Sequence, residues 1–280
     1  MSSAVYDRAG RVVSGSRDGS VRVGSAVVYK YGGPVSAVAS SPDGRLLAMG
    51  SSDGTVLLID PSGPKVVIAE LQLGRSPVAS IAFSPDGRRL AVSDETPTVT
   101  MWDISDRDQP RRFSLLGQAT RVTALAFTPD GTRLVSVSAA PEAAILVWNT
   151  ATLQPVRPRL AGAGGNEDGF VSVAVSPDGT VVATGTTAGE IRLWDLATPR
   201  QLQVLNGGAS PILSIAYSPD GRFLAAGSAD GSIVVWHVGS GEFSRADEFE
   251  ASGKPESLAF DTGHLLAATT GGVIQTWAFA

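Results

Sequence analysis

The most informative absences in this 280-residue sequence are those of reactive and metal-binding side chains. It contains no cysteine and only two histidines, His237 and His264. Disulfides, thiol catalysis and cysteine-ligated metals are therefore excluded, and two histidines argue against zinc or iron chemistry. We interpret both histidines as structural, and we expect no metal site, no cofactor and no catalytic residue.

Long apolar runs and targeting signals are also missing. No stretch approaches the roughly 20 consecutive apolar residues that a transmembrane helix needs. Residues 1–6 lack the basic region and long apolar core of a secretory signal. The sequence therefore predicts a cytoplasmic protein without a membrane partner.

Basic side chains are outnumbered by acidic ones, and lysine is scarce. The chain has 22 Lys and Arg against 27 Asp and Glu, which gives a formal net charge of −5. This balance argues against nucleic acid as a partner. Only Lys30, Lys65 and Lys254 are lysines, and the preference for arginine, with much Ala, Gly and Val, is typical of a G+C-rich bacterial genome.

What the chain does contain is one unit repeated seven times. Five units end a strand on the only tryptophans, which are Trp102, Trp148, Trp194, Trp236 and Trp277. Each unit also carries a Ser/Thr-Pro-Asp-Gly turn, which is degenerate in the first and last units. The final glycines of these turns are at positions 10, 44, 87, 131, 179, 221 and 263. The usual step of 42 to 44 residues indicates a propeller or a solenoid. Because the repeat runs from end to end, we predict a single domain, 1–280.

Each unit is predicted to form short antiparallel strands. In the third unit, residues 78–84, 89–92 and 99–102 alternate apolar and small or polar side chains between turns. The Ser-Pro-Asp-Gly turn favours a hairpin, because proline presets φ, Ser and Asp bond nearby backbone, and glycine accepts positive φ. A fourth strand is predicted in most units, at 27–31, 66–71, 111–116, 156–160 and 201–205.

Small side chains mark the first strand of each unit. They recur at alternate positions, which places them on one face, as in Ala37/Ala39, Ser80/Ala82, Ala124/Ala126, Ser172/Ala174, Ser214/Ala216 and Ser257/Ala259. Strands crowded toward a common axis need such small residues. The intervening Val38, Ile81 and Leu125 are predicted to pack between units.

These features together resemble the WD-repeat family. Met101-Trp102-Asp103, Leu193-Trp194-Asp195 and the turns at 51–54 and 228–231 match its pattern. The resemblance covers essentially the whole chain. It implies an all-β, seven-bladed β-propeller of WD-repeat type, with four-stranded antiparallel blades, that serves as a docking platform.

One element of the family is absent. Typical members carry a Gly-His dipeptide before each first strand, and its histidine joins a buried network with a turn Asp, a Ser or Thr and the tryptophan. No unit here has that dipeptide before its first strand. We therefore expect blade cohesion to depend on burial of tryptophans and aliphatic residues.

The last unit lacks a fourth strand, since seven triplets of strands are matched by only six fourth strands. Two explanations are open. Either blade 7 is three-stranded with an open edge, which is an association hazard, or the chain was cut from a longer protein whose preceding residues close the ring.

Neither face of the ring carries a recognisable catalytic arrangement. The recurring turn aspartates are interpreted as turn residues. The arginines after them, at 11, 45, 88, 89, 133 and 222, either bind an acidic partner or nucleic acid or are solvated strand ends, and we favour the latter.

The opposite face is where WD-type propellers usually bind partners. Its candidate residues are Arg17, Tyr31, Arg75, Glu95, Gln118, Arg121, Glu142, Asn166, Glu167, Asp168 and Lys254. Residues 161–169 form its longest loop and coincide with the one enlarged repeat step.

The sequence thus favours a non-enzymatic scaffold or sensor domain that binds a protein or peptide and belongs to a larger bacterial regulator of ATPase or kinase type. Two alternatives are open. One is a propeller enzyme with a site at the channel mouth, which would need inward-facing acids or histidines. The other is an oligomerisation module that acts through the open edge of blade 7.

Overall fold

The computed structural model describes residues 3–63, 66–156, 160–162, 168–239 and 242–279. Within these ranges the regular structure consists of 27 strands and no helix. The first two blades contain β1 (Ser3–Tyr6), β2 (Val12–Gly15), β3 (Ser20–Val23), β4 (Ala26–Lys30), β5 (Val35–Ser40), β6 (Leu47–Ser51), β7 (Thr55–Ile59) and β8 (Val67–Gln72).

The remaining strands follow in the same order. Blades 3 and 4 contain β9 (Val78–Phe83), β10 (Arg89–Asp94), β11 (Val99–Asp103), β12 (Arg111–Leu115), β13 (Val122–Phe127), β14 (Arg133–Ser138), β15 (Ala144–Asn149) and β16 (Ala161–Gly162). Blades 5 to 7 contain β17 (Phe170–Val175), β18 (Val181–Thr186), β19 (Glu190–Asp195), β20 (Arg200–Asn206), β21 (Ile212–Tyr217), β22 (Phe223–Ser228), β23 (Ser232–Val238), β24 (Phe243–Glu250), β25 (Pro255–Phe260), β26 (His264–Thr269) and β27 (Ile274–Ala278).

Each blade is an antiparallel sheet whose strands pair in chain order. Six sheets have four strands and the last has three, β25, β26 and β27. The first strand of every blade packs against the first strand of the next, and β25 packs against β1. The predicted seven-bladed propeller, including its three-stranded last blade, is therefore confirmed.

Hydroxyl groups on the first strands tie neighbouring blades together. The Ser36 Oγ donates to the Val78 carbonyl at 2.7 Å, and the Ser172 Oγ donates to the Ile212 carbonyl at 2.9 Å. The ring closes in the same way, because the Ser257 Oγ donates to the Ala4 carbonyl at 2.7 Å. The small residues predicted from the sequence are thus small because adjacent first strands approach closely.

The Ser-Pro-Asp-Gly turns form as predicted from their residues. In blade 6 the Ser218 Oγ donates to Asp220 Oδ1 at 2.6 Å, and it accepts the Phe223 backbone N–H at 2.9 Å. Gly221 has a φ of 73°, which is the left-handed conformation that favours glycine. The turn is therefore built from local hydrogen bonds and one permissive residue.

The apolar core is divided among the blade junctions. Trp148, Trp236, Trp194 and Trp102 are 0%, 4%, 7% and 9% exposed, whereas Trp277 in blade 7 is only half-buried. Val38 packs with residues of blade 1, including Val13 and Val21. The predicted role of that side chain in packing between units is confirmed.

The predicted fourth strand of blade 4, 156–160, is only partly described by the structure. At its start the Val156 N–H donates to the Val147 carbonyl at 2.7 Å, next to an isolated bridge between Trp148 and Pro155. Just beyond its predicted end, Ala161–Gly162 pairs with Ala144 and Ile145. Residues 157–159 lie outside the described residues.

Candidate protein-docking face

One face of the ring, here called the upper face, is built from two kinds of loop. The first kind joins second to third strands and the second kind joins each blade to the next. Its described segments are 16–19, 31–34, 52–54, 73–77, 95–98, 116–121, 139–143, 187–189, 207–211, 229–231, 251–254 and 270–273. The opposite, lower face carries the Ser-Pro-Asp-Gly turns.

Most of the charged residues predicted on the upper face are exposed there. Arg75, Glu142 and Lys254 are exposed and form no ion pair within the described ranges. Arg121 and Glu95, from neighbouring blades, approach to 4.0 Å. Because both side chains of that pair are exposed, it contributes little to stability.

A cavity of about 530 Å³ opens at the upper mouth of the central channel. It is lined by Arg17, Pro34, Ser36, Leu213 and Glu256, together with two neighbours in blade 2. The Arg17 side chain is 72% exposed, and its Nη2 lies 3.5 Å from Glu256 Oε1. Residues of blades 1, 2, 6 and 7 therefore line one concave site, which combines apolar side chains with the pair of Arg17 and Glu256.

Glu256 is the site residue that the sequence analysis missed. Glu256 occupies the second position of β25. In blades 2 to 7 the second residue of the first strand forms a bulge that shifts the pairing register. Burial raises the pKa of its carboxyl, and the Arg17 guanidinium opposes that shift. An alignment of the first strands would have singled out Glu256, because none of the equivalent residues carries a charge. These residues are Ser36, Ala79, Thr123, Val171 and Leu213.

Tyr31 is held within the upper face instead of projecting from it. Its hydroxyl donates to Asp53 Oδ2 at 2.7 Å and lies 3.1 Å from Thr55 Oγ1. This contact links blade 1 to blade 2. Tyr31 is half-buried, so only part of its ring is available to a partner.

Gln118 requires a correction, because it was predicted among the exposed contact residues. It is 8% exposed, and its Nε2 donates to Ser136 Oγ at 2.9 Å. The same hydroxyl accepts the Trp148 Nε1–H at 2.8 Å. Gln118 thus stands where the family's histidine would, and its role here is to hold blade 4 together.

The expected loss of the buried network is therefore wrong in two blades. Blade 4 retains it through Gln118, Ser136 and Trp148. Blade 5 retains one link, since the Trp194 Nε1–H donates to Thr184 Oγ1 at 2.9 Å. In blade 3 the Trp102 Nε1 is buried and has no hydrogen-bond partner among the described residues.

The enlarged loop is only partly described. Asp168 lies 3.4 Å from Arg192 Nη2, and Glu190 Oε2 lies 2.8 Å from the same nitrogen. Asp168 is half-buried, so its carboxylate is partly engaged within blade 5. The other two predicted residues of this loop, Asn166 and Glu167, lie outside the described residues.

On the lower face the turn aspartates behave as turn residues. Hydrogen bonds from the neighbouring Ser or Thr hydroxyls are the main cause that lowers the pKa of Asp43, Asp130, Asp178 and Asp220. In the described part of the chain, no group of three or more His, Asp or Glu is arranged to hold a metal ion.

Several arginines of the lower face form contacts that stabilise the ring. Arg133 Nη1 donates to the Leu196 carbonyl of the next blade at 3.1 Å, and Arg89 reaches the Thr150 carbonyl in the same way. Arg222 pairs with Asp220 at 2.6 Å. These contacts give three of the arginines a structural role.

Comparisons with known proteins agree with this architecture. The family described as WD domain, G-beta repeat matches residues 26–60, 67–103, 110–149, 160–195 and 199–237. Among solved structures, a chain in "Crystal Structure of Mitotic Checkpoint Complex" is similar, with a TM-score of 0.86, 18% identity, and coverage of 100% of this chain and 87% of that chain. At that identity the likeness concerns the fold alone.

Two further findings concern relatives and membrane-spanning helices. No curated protein matches its sequence. None of the described residues forms a helix that is long and apolar enough to span a membrane. The ring of repeated blades and the five matched segments, which make up more than half of the sequence, show that the chain belongs to the WD40 repeat family.

Proposed function

We propose that this propeller is a protein-interaction scaffold whose upper face binds a protein or peptide. The observation that carries the proposal is the cavity of about 530 Å³ at the channel mouth, on which residues of four blades converge. A rigid ring that presents loops around a concave site suits recognition, because the scaffold fixes the loops while their sequences vary.

Three exposed basic side chains on this face, Arg17, Arg75 and Lys254, offer contacts to acidic groups on a partner. Arg17 lies 3.5 Å from Glu256, and Lys254 also interacts electrostatically with that carboxylate. Complementary charges increase the rate at which partners meet more than they increase affinity. Tyr31, Glu95, Arg121, Glu142 and Asp168 would contribute further contacts around the same mouth.

Site-specific photo-crosslinking tests this proposal. Benzoylphenylalanine would be introduced at Arg75 and Lys254 on the upper face, and at the exposed Thr132 of the lower face as a matched control. The variants would be irradiated in extract from the source organism and adducts identified by mass spectrometry. We expect one protein to crosslink at both upper positions and not at Thr132.

Charge reversal then tests the contact directly with the identified protein. Arg17→Glu together with Lys254→Glu should weaken binding to an acidic segment, whereas Arg222→Glu on the lower face should not. Adducts from Thr132 alone, or equal loss of binding in both variants, would contradict the assignment of the upper face.

We further propose that the propeller is the sensing or scaffolding part of a larger cytoplasmic bacterial regulator of ATPase or kinase type. The support is the resemblance to propellers attached to such enzymes and the arginine-rich composition. Sequencing the parent gene tests it, because the proposal requires a catalytic domain in the same reading frame.

We do not propose catalysis for the channel mouth. Its acid, Glu256, is adjacent to Arg17, an arrangement that neutralises charge. The oligomerisation alternative concerns blade 7, and light scattering across a concentration series tests it.

A further inference from the structure

The lower face carries the same kind of groove at three blade junctions. Each groove lies between the turns that join first to second strands in two neighbouring blades. The residue that follows the third strand of the second blade also lines it, and at the junctions 2–3, 4–5 and 6–7 this residue is Ile104, Leu196 and Phe279. Because the three grooves have the same construction, their side chains can be compared position by position.

The groove between blades 2 and 3, here called the arginine groove, differs from the other two in its charge. Its volume is about 620 Å³, and Arg8, Arg88 and Arg107 line it together with Asp43 and Asp86. One arginine and two aspartates line the groove between blades 4 and 5, and one arginine, one histidine and two aspartates line that between blades 6 and 7. Of the three, the arginine groove is therefore the one with more arginines than aspartates.

The arginines of this groove also lack the contacts that engage their counterparts elsewhere on the lower face. Arg222 pairs with Asp220 at 2.6 Å, and Arg133 donates to a carbonyl of the next blade at 3.1 Å. In the part of the chain that the structure describes, the guanidinium groups of the arginine groove, and that of the adjacent Arg45, form no hydrogen bond and no ion pair. All four residues are exposed, so their donors are available to a ligand.

The two aspartates of the groove offset this charge only in part, because each is held by its own turn. Asp43 Oδ1 accepts the Ser41 hydroxyl at 2.6 Å and the Arg45 N–H at 3.0 Å. Asp86 Oδ1 accepts the hydroxyl and the N–H group at the equivalent positions of its turn. Both carboxylates also interact electrostatically with nearby arginines. With two carboxylates among four guanidinium groups, the groove keeps an excess of positive charge.

Arg107 belongs to a loop that contains two further aspartates, Asp106 and Asp108. Neither of them lines the groove. Asp106 Oδ1 accepts the N–H groups of Asp108 and Gln109 at 3.1 and 3.3 Å, so this carboxylate is engaged by its own loop. The loop therefore contributes its arginine to the groove and not its acids.

Between the charged groups the groove is apolar. Leu46 and Ile104 lie at its base, where both are buried. Pro42 and Pro85, one from each turn, are exposed along its sides. The positive charge is confined to this groove in a chain with a net charge of −5, which disfavours nucleic acid, whose binding neutralises many phosphates. A matching ligand is short and combines acidic groups with an apolar side chain.

We propose that the arginine groove binds an acidic segment of a partner protein. Asp or Glu side chains of the segment pair with Arg8, Arg88 and Arg107, and an apolar side chain between them packs on Pro42 and Pro85. Clustered arginines recognise acidic motifs in this way because guanidinium groups form charge-assisted hydrogen bonds to carboxylates. The groove lies on the face opposite the channel mouth, so this second docking surface does not depend on the upper face.

A peptide selection with charge-matched variants tests this surface. Random heptapeptides displayed on phage would be selected on the full chain, and the enriched sequences would be synthesised with a fluorescent label. Fluorescence anisotropy would then measure their binding to the parent and to two double variants. The groove variant is Arg88→Gln with Arg107→Gln. The control is Arg111→Gln with Arg200→Gln, which removes the same charge from exposed positions on the outer strands of blades 3 and 5.

We expect a class of peptides with Asp or Glu around an apolar residue whose affinity falls about tenfold in the groove variant and little in the control. Replacing the acidic residues of these peptides by Asn and Gln should abolish binding. Circular dichroism should show the same unfolding temperature for the parent and the groove variant, because the two replaced guanidinium groups have no hydrogen bond or ion pair among the described residues.

Three results would overturn the proposal. Equal loss of affinity in both double variants would mean that the peptides respond to overall charge. Acidic peptides whose affinity is unchanged in the groove variant would bind elsewhere on the chain. Binding that depends on Arg88 and Arg107 but is seen only with phosphoserine peptides or a short single-stranded oligonucleotide would identify the ligand as a phosphate and not a carboxylate.

Discussion

A single hydroxyl group distinguishes tryptophans that occupy equivalent places in successive blades. Ser136 accepts the indole N–H of Trp148, and Thr184 accepts that of Trp194. The equivalent residue beside Trp102 is Val92, and no residue that the structure describes accepts a hydrogen bond from the buried Trp102 Nε1. An unpaired buried donor costs about 1–3 kcal/mol, so these positions should differ in their response to substitution.

We predict opposite effects for Ser136→Ala and Val92→Thr. Ser136→Ala leaves the Trp148 and Gln118 donors without their acceptor and should lower the free energy of unfolding by about 1–3 kcal/mol. Val92→Thr supplies Trp102 with an acceptor, and its own hydroxyl can donate to the Thr100 carbonyl, as Thr184 donates to Arg192. The hydrogen bonds that are gained offset the burial of the hydroxyl, so the variant should leave the free energy of unfolding within about 1 kcal/mol of the parent or raise it. Urea denaturation measures both variants, and a large loss from Val92→Thr would contradict this account of blade 3.

Tyr217 gives a second prediction about one polar atom. Its hydroxyl is buried without a hydrogen-bond partner among the described residues, and burial raises the pKa of the phenol. Tyr217→Phe should therefore maintain or raise the unfolding temperature, since it removes an uncompensated polar group. Differential scanning calorimetry measures this, and a clear decrease would show that the hydroxyl is satisfied in solution.

At the residue scale, the sequence indicated what kind of residue occupies a position better than it indicated which residues that side chain contacts. Gln118 follows a glycine in a loop, so the sequence placed it among the surface contact residues. Its contact with the buried Ser136 depends on tertiary packing. Glu256 was missed because its orientation toward the channel depends on a strand bulge. Neither burial nor a bulge is encoded in local composition.

The Ser-Pro-Asp-Gly turns should make the fold sensitive to acid. The hydroxyl of Ser218 and then the N–H groups of Arg222 lower the pKa of Asp220 from 3.8 to about 2. Because the folded pKa is the lower one, this carboxylate stabilises the fold above pH 3.8 and loses that contribution as pH falls toward 2. Asp43, Asp130 and Asp178 are shifted in the same direction.

We therefore predict that the urea midpoint of unfolding falls between pH 4 and pH 2, and that Asp220→Asn reduces this dependence. The measurement is urea denaturation at several pH values in that interval for both proteins. Asp247→Asn, an exposed carboxylate on β24, serves as the control. An unchanged pH dependence in Asp220→Asn would contradict the role given to the turn.

Packing between blades depends on small residues in the second strands. A Cβ added to Gly50 would lie 2.4 Å from Val78 Cγ1 and 2.7 Å from Val78 Cβ in the next blade. Gly50→Ala should therefore destabilise the chain by about 1–3 kcal/mol. Gly32→Ala is the matched control, because nothing lies within 4 Å of its added Cβ. Thermal unfolding of both variants tests this, and equal effects would mean that the blades separate easily.

At the element scale the sequence predicted the strands well because each strand is bounded by turns with a local mechanism. Blade 4 shows the limit of this approach. Its fourth strand was predicted at 156–160, and the structure adds a ladder at Ala161–Gly162, beyond the predicted end. Local apolar residues indicate a strand, whereas its register depends on which partner strand it meets.

For the whole molecule, the period of the repeat indicated a propeller or a solenoid, and the small residues of the first strands favoured the closed ring, because strands crowded toward one axis need small side chains. The number of fourth strands was likewise visible as a count of apolar segments. The docking surface was not predictable to the same degree. It depends on which residues converge at the channel mouth, and that follows from closure of the ring.

The central claim is that the ring closes with six four-stranded blades and a seventh blade of three strands among the described residues. Hydrogen–deuterium exchange of the isolated monomeric chain tests it most directly. The amides of β27 should include a set that exchanges about tenfold or more faster than the amides of β11, which lies between two strands. Uniform protection of β27 equal to that of β11 would mean that another strand already covers the edge, and would contradict the account.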